Sequence, residues 1–150
     1  MSFDSPVAAA EAIRVLPAEL PMPGGGDTAA RFAALWEIAA RSPSLGRLAE
    51  AHYDGIAILC ERGLLPAPGA IYGVWAASSS MPTRLVPAGS EWRLTGVKDW
   101  CSGASIATHA LVTAQHGDTN ALVLVDLHRT GVTPEEPTWQ SPAFADIDTR

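Results

Sequence analysis

A chain of 150 residues, 47% of them hydrophobic, is long enough to bury a core and short enough for one ordinary domain or two small ones. Its net charge of −6 and its lack of any Lys/Arg cluster exclude a sequence-independent nucleic-acid binder, which has to neutralise phosphates. Cys60 and Cys101 stand in unlike segments without CxxC or Cys/His spacing, so neither a zinc site nor a disulfide framework is expected, and free thiols suit a reducing cytoplasm.

The opening MSFDSPVAAAEAIRVL has an early acid and no basic stretch ahead of its apolar run, unlike a secretory signal. The first 65 residues read as helical. After LPMPGGG, Asp27 is placed as an N-cap, and Phe32, Leu35, Trp36 and Ala39 follow the spacing of one helix face. Pro43 ends that helix. Ser44 is placed to cap a longer one with the stripe Leu45, Leu48, Ala49, His52, Ile56, Leu59 and Cys60, and Gly63 to stop it before Pro66. PGGGDT lacks the Lys and Ser/Thr of a P-loop and reads as a flexible lead into the Asp27 cap. His52, on the apolar stripe, reads as a hydrogen-bonded core or interface histidine rather than a ligand.

Residues 64 to 83 carry no charge, but Pro66, Pro68, Gly69, Gly73 and Pro82 interrupt them, so no membrane-spanning helix is expected. From residue 70 the period becomes strand-like in AIYGVWAA, EWRLTGVKDW, THALVTAQ and NALVLVDL, which implies an antiparallel β region and an α+β chain. HGDTN, with Gly117 and Asp118 at its tip, reads as a hairpin turn. Nothing after Gly131 supplies a turn, cap or polar tail to close the last element, so the chain is expected to continue past Arg150.

GASIA approximates a nucleophile elbow centred on Ser105, with His109, His116 and His128 following, but an elbow must lead into a helix and this segment leads into a strand pattern. Asp126 and His128 share a strand face, and two donors do not make a metal site, so no metal is expected. VKDWCSGAS offers a Trp followed by small hydroxyl residues, an apolar plate beside a hydrogen-bond donor that suits a flat ring. By spacing alone, a core aromatic followed by an ordinary turn is the favoured reading.

WRLTGVKDWCSGASIATHALVTA, residues 92 to 114, resembles the middle β domain of the acyl-CoA dehydrogenase family, where a strand, a Gly-x-Lys-x-Trp core and a hydroxyl residue precede an alanine-rich strand. IYGVWAASSS is similar to that family's first flavin-contacting strand, and the helices of residues 27 to 62 to part of its N-terminal helical domain. The resemblance implies a truncated form of that fold: a partial helical domain over residues 1–65, then an antiparallel β-barrel-like domain over residues 66–150. It implies FAD as cofactor, with Trp100 beside the isoalloxazine, Ser102 near flavin N5, Cys101 between them, and Val74 and Trp75 along the pyrimidine side. Where the family has Thr-Glu-Pro and then Gly-Ser, this chain has WAASSS, so Trp75 replaces a small hydroxyl residue and is expected to crowd the ring.

The implied activity is oxidation of an acyl-CoA thioester of fatty-acid type, in which a carboxylate removes the α-proton and the β-hydride passes to the flavin. That base belongs to a C-terminal helical bundle without a counterpart in these residues, so no catalytic residue is assigned. A β face that normally meets such a bundle implies self-association or association with a larger flavoprotein. A second reading, of a different class, is a non-catalytic interaction or oligomerisation module related to the same β domain.

Overall fold

The computed structural model describes residues 3–78, 82–137 and 139–150, so Ser79 and Ser80 of the WAASSS segment lie outside the described residues. Three helices lead: α1 (Pro6–Arg14), α2 (Thr28–Arg41) and α3 (Pro43–Glu61). Each starts on a capping side chain. Ser5 accepts from the Ala8 N–H, Asp27 from Ala30, and Ser42 from Leu45, each at 3.2 Å. The cap of α3 is thus Ser42 rather than Ser44, and Pro43 both ends α2 and opens α3. Proline holds the residue before it extended, and its missing N–H costs nothing in a first helical turn. Ser44 is free to bond elsewhere.

The inward face of α2 also differs from its apolar stripe. Arg31 and Ile38 are buried and Leu35 partly so, whereas Phe32 and Trp36 are 65% and 71% exposed. The Arg31 guanidinium takes the buried place because its donors are satisfied, by the Pro21 carbonyl at 3.0 Å and Asp54 at 2.7 Å. Apolar spacing finds a helix face without saying which partner covers it.

Helix α3 is buried on several sides. Leu45, Leu48 and Ala49 pack with α1 and α2, Leu59 packs with β-sheet residues, and Cys60 at the end of the expected stripe is exposed. Gly63 at φ +70 ends the helix, with Leu64 N–H reaching the Leu59 carbonyl at 2.9 Å. His52 is the expected hydrogen-bonded histidine: its Nδ1 accepts the Tyr72 N–H at 3.3 Å, and burial lowers its pKa.

The strands are β1 (Tyr72–Trp75), β2 (Arg84–Ala88), β3 (Glu91–Thr95), β4 (His109–His116) and β5 (Thr119–Asp126). The helices-then-sheet order is as expected, but the sheet is mixed rather than wholly antiparallel. Strand β4 lies at its centre, antiparallel to β5 from His109↔Asp126 to His116↔Thr119 through the expected Gly117-Asp118 turn. Along its other edge it pairs parallel with β1, from Tyr72↔His109 to Trp75↔Val112, and then with β2 at Arg84↔Gln115. Strands β2 and β3 form an antiparallel hairpin. Alternation predicts a strand but not its direction, and β2 is invisible to it because Pro87 interrupts a short, largely exposed run.

The segment after Gly131 is anchored. Residues 146–150 return antiparallel to residues 101–104, with a Ser102↔Thr149 bridge and a Cys101 N–H to Arg150 carbonyl bond of 2.8 Å, while Ile147 joins the helical core. The Asp146 carboxylate ties this return to the helices, accepting from Phe3 N–H at 3.0 Å and Ser44 Oγ at 2.5 Å. Burial alone would raise its pKa, but the bonds from Ser44 and Phe3 win and hold it below the ordinary 3.8. A carboxyl lowered in the folded state stabilises above its unfolded pKa, and the contribution is lost as pH falls from there through the folded value. Asp146→Asn is therefore expected to cost about 1 kcal/mol at neutral pH, with the difference from wild type shrinking below about pH 4. Urea titrations at several pH values read this, and a pH-independent difference contradicts it.

Candidate functional site

Beyond β3 the chain turns at Gly96 (φ +112) and runs irregularly to Trp100, which sits five residues past the strand rather than at its end. Trp100 has φ +64, a left-handed conformation that is uncommon for a bulky residue. The bend sends neighbouring side chains opposite ways. Trp100 is 55% exposed while Cys101 is buried, its Sγ donating to the Lys98 carbonyl at 3.1 Å. The Ser102 N–H closes the bend onto the Trp100 carbonyl at 3.1 Å, and the Cys101 pairing with Arg150 holds it from behind.

Trp100 and Ser102 open onto a cleft of about 480 Å³, together with Val74, Trp75, Ala76 and Ala77 from β1 and the residues after it. Four of the five residues assigned from sequence therefore meet on one surface. Cys101 is the exception: it faces a second cavity of about 590 Å³ behind Trp75, and burial pushes its thiol up to about 12, against the pull of Lys98. An uncharged, buried thiol is a packing group.

Trp75 lines the cleft as a buried wall residue whose indole is tied down. Its indole lies over Gly73, where a Cβ would come within 2.7 Å of Nε1, and Nε1 donates to the Ser102 carbonyl at 3.2 Å. The large side chain that was expected to crowd a ring thus joins the two stretches that bear the site. Lys98 joins them again. Its Nζ donates to the Ala77 carbonyl at 2.5 Å and to Thr113 Oγ1 at 2.8 Å, and burial lowers its pKa. Lys98 holds the segment after β1 against β4.

The remaining lining comes from residues that sequence reading left out: Arg47 from α3, and Trp139, Phe144, Ile147 and Thr149 from the returning segment. Trp139 stands edge-on to Trp100, centroids 6.2 Å apart at 83°, its Nε1 held by the Ala143 carbonyl at 2.6 Å. Thr149 Oγ1 lies 3.4 Å from both Ser102 Oγ and the Ile147 carbonyl oxygen, which accepts from it. No spacing rule connects positions this far apart along the chain.

The arrangement offers a flat apolar ligand an indole plate and a hydroxyl beside it. The Ser102 N–H and carbonyl are already bonded, and its hydroxyl, beside Thr149 Oγ1, is the group left to face a ligand, as donor or acceptor. These residues fit one side of a planar heterocycle with a nitrogen acceptor. They include no carboxylate placed as a base, and among the described residues no group of three or more His, Cys, Asp or Glu is gathered to hold a metal.

No protein-family model matches the chain, and no curated protein matches it. Solved structures do. The fold is similar over 97% of the chain to a glutaryl-CoA dehydrogenase from Mycobacterium smegmatis in complex with FADH2, with a TM-score of 0.76 at 20% identity, covering 43% of that chain. A second structure of glutaryl-CoA dehydrogenase from Mycobacterium smegmatis matches over 86% of the chain, with a TM-score of 0.63 at 22% identity, covering 39% of that chain. The chain thus has the fold of part of an acyl-CoA dehydrogenase and spans less than half the length of these structures.

Proposed function

We propose that this chain forms the flavin-facing part of a flavin-dependent oxidoreductase of the acyl-CoA dehydrogenase type, acting on an acyl-CoA thioester with FAD as hydride acceptor. The observation that carries this reading is the left-handed bend that exposes the Trp100 indole on the cleft next to Ser102. Trp100 would cover the ring with its apolar face, Ser102 Oγ would donate near N5, and Val74 with the backbone at Ala76 and Ala77 would border the pyrimidine edge. Bound FAD supplies the hydride acceptor. The chain's own part is to orient the ring and keep water from one side of it. The α-proton needs a carboxylate that these residues do not place at the cleft, so by itself the chain is expected to bind without turning over. The unpaired thiols, Cys60 exposed and Cys101 buried, agree with a cytoplasmic setting.

Gel filtration after incubation with FAD tests the reading: flavin absorbance should travel with the protein, and its absence sinks the cofactor assignment. Ser102→Ala removes one donor to the ring and is expected to weaken FAD binding about fivefold, as one hydrogen bond of about 1 kcal/mol would. Unchanged affinity would take Ser102 out of the site.

The second reading, a non-catalytic module that associates with a copy of itself or with a larger flavoprotein, draws on the exposed Phe32 and Trp36 of α2. Co-purification with a larger flavoprotein, without flavin on this chain, would favour it. Among the described residues no helix is long and apolar enough to cross a membrane.

A further inference from the structure

We infer that His52 is a proton-sensitive tie between α3 and β1, so that acid loosens the strand end that borders the cleft and weakens flavin binding. The inference deepens the proposed reading, as regulation of the same site, and its flavin part rests on that reading. Strand β1 pairs with β4 along one edge only, from Tyr72↔His109 to Trp75↔Val112. Along its other edge the Tyr72 N–H donates to His52 Nδ1 at 3.3 Å, so a side chain of α3 stands where a further strand would. The imidazole can accept that bond only while neutral, with its proton on Nε2. Protonation fills Nδ1, sets two donors against each other and leaves the amide of buried Tyr72 without a partner.

The surroundings return little to a charged ring. The His52 ring lies 6.0 Å from that of Tyr72, stacked at 16°, and 5.4 Å from that of Tyr53. On α3 the positions three and four residues away are Leu48, Ala49, Gly55 and Ile56, none of them charged. Across the Tyr72 ring, at 5.6 Å, stands His109 of β4, whose own protonation would add charge of the same sign. Cation–π attraction to the Tyr72 face opposes the loss without cancelling it, and burial holds the His52 pKa below the ordinary 6.5. A base whose pKa folding lowers stabilises fully above its unfolded value, and that contribution is lost as pH falls from about 6.5 through the folded value.

Loosening at this point reaches the cleft because β1 is only 4 residues long, and Val74, Trp75, Ala76 and Ala77 at and after its end line the cleft. Gly55 lets the Tyr72 side chain lie directly against α3, so helix and strand move as one while the tie holds.

His52→Asn places an amide oxygen near the position of Nδ1 and does not titrate, which separates this ring from His109, His116 and His128. Melting temperature and FAD affinity are measured for both proteins from pH 7.5 to pH 5.0. Wild type is expected to lose roughly 4 °C more than His52→Asn over that range. Its FAD affinity should fall about fivefold, while that of the variant changes less than about twofold. NMR titration of the wild-type ring protons, with His52 identified by its contact with Tyr72, does not depend on the variant folding. His52 should titrate below 6.5, and lower still with FAD bound.

A His52 pKa at or above 6.5, or equal pH dependence of melting in the two proteins, overturns the inference. Equal pH dependence of FAD affinity overturns it as well, by showing a tie that does not reach the cleft. Failure to bind FAD at any pH removes the flavin reading and the cleft control that rests on it, and the melting curves and ring titration then decide the tie itself.

Discussion

Trp100→Ala is expected to weaken FAD binding by roughly ten- to a hundredfold, the effect of losing one stacking aromatic worth about 1–3 kcal/mol. Trp139→Ala should change it by less than about threefold. The asymmetry follows from geometry: Trp100 presents its indole to the cleft, whereas Trp139 meets that indole edge-on and is held by its own loop through the Ala143 carbonyl. Removing Trp100 should leave no void in the core, since more than half of the residue is exposed. Alanine keeps the left-handed strain, so Trp100→Gly serves as its companion. Glycine adopts φ +64 freely and should be more stable than the alanine variant by about 1 kcal/mol while binding FAD as poorly. Fluorescence titration with FAD and thermal melts read both quantities. Equal losses from Trp100→Ala and Trp139→Ala would mean that Trp100 is an ordinary surface aromatic.

The second large effect is on stability, at the contact between α3 and β1. Gly55→Ala places a methyl 2.6 Å from Tyr72 Cβ and 3.2 Å from its Cγ, closer than packed carbons approach. Tyr72 has no room to yield. Its strand is paired with β4, its N–H is bonded to His52, and its hydroxyl accepts the Ala67 N–H at 2.7 Å. Overpacking of this kind costs up to about 3 kcal/mol, and the better helix propensity of alanine returns roughly 1. A net loss of about 2 kcal/mol is expected, lowering the melting temperature by roughly 4–8 °C. Cys60→Ala, on the exposed side of the same helix, should stay within about 0.5 kcal/mol of wild type. Because β1 carries Val74 and Trp75 to the cleft, Gly55→Ala should also weaken FAD binding. An unchanged melting temperature would mean that α3 moves away from β1 without penalty.

Several elements were legible because their signals are local. Asp27 caps α2, Gly63 ends α3 in a left-handed turn, and Gly117-Asp118 joins β4 to β5, each decided by a few neighbouring residues. The cap of α3 was misplaced by two residues, since Ser42 and Ser44 flank one proline and only the contact with Asp146 shows which is spoken for. The outward turn of Phe32 and Trp36 was not legible either. Their spacing is that of a helix face, and a face is apolar in the same way whether α3 or some other surface is to cover it.

For the site, the chain's own order determined that Trp100 and Ser102 lie near each other at a bend, and that Val74 and Trp75 share a short strand, because neighbours in sequence are neighbours in space. It also determined the helices-then-strands plan, which needs only the hydrophobic period. The tertiary structure alone decided that β1 runs parallel to β4, so that the end of β1 arrives beside Ser102. It decided too that Cys101 turns away from the cleft, and that Arg47, Trp139, Phe144 and Thr149 complete it. Strand direction and the meeting of residues a hundred positions apart depend on which apolar surfaces find each other when the core closes. That choice is made by summed packing over the whole chain, and no short window of residues contains it.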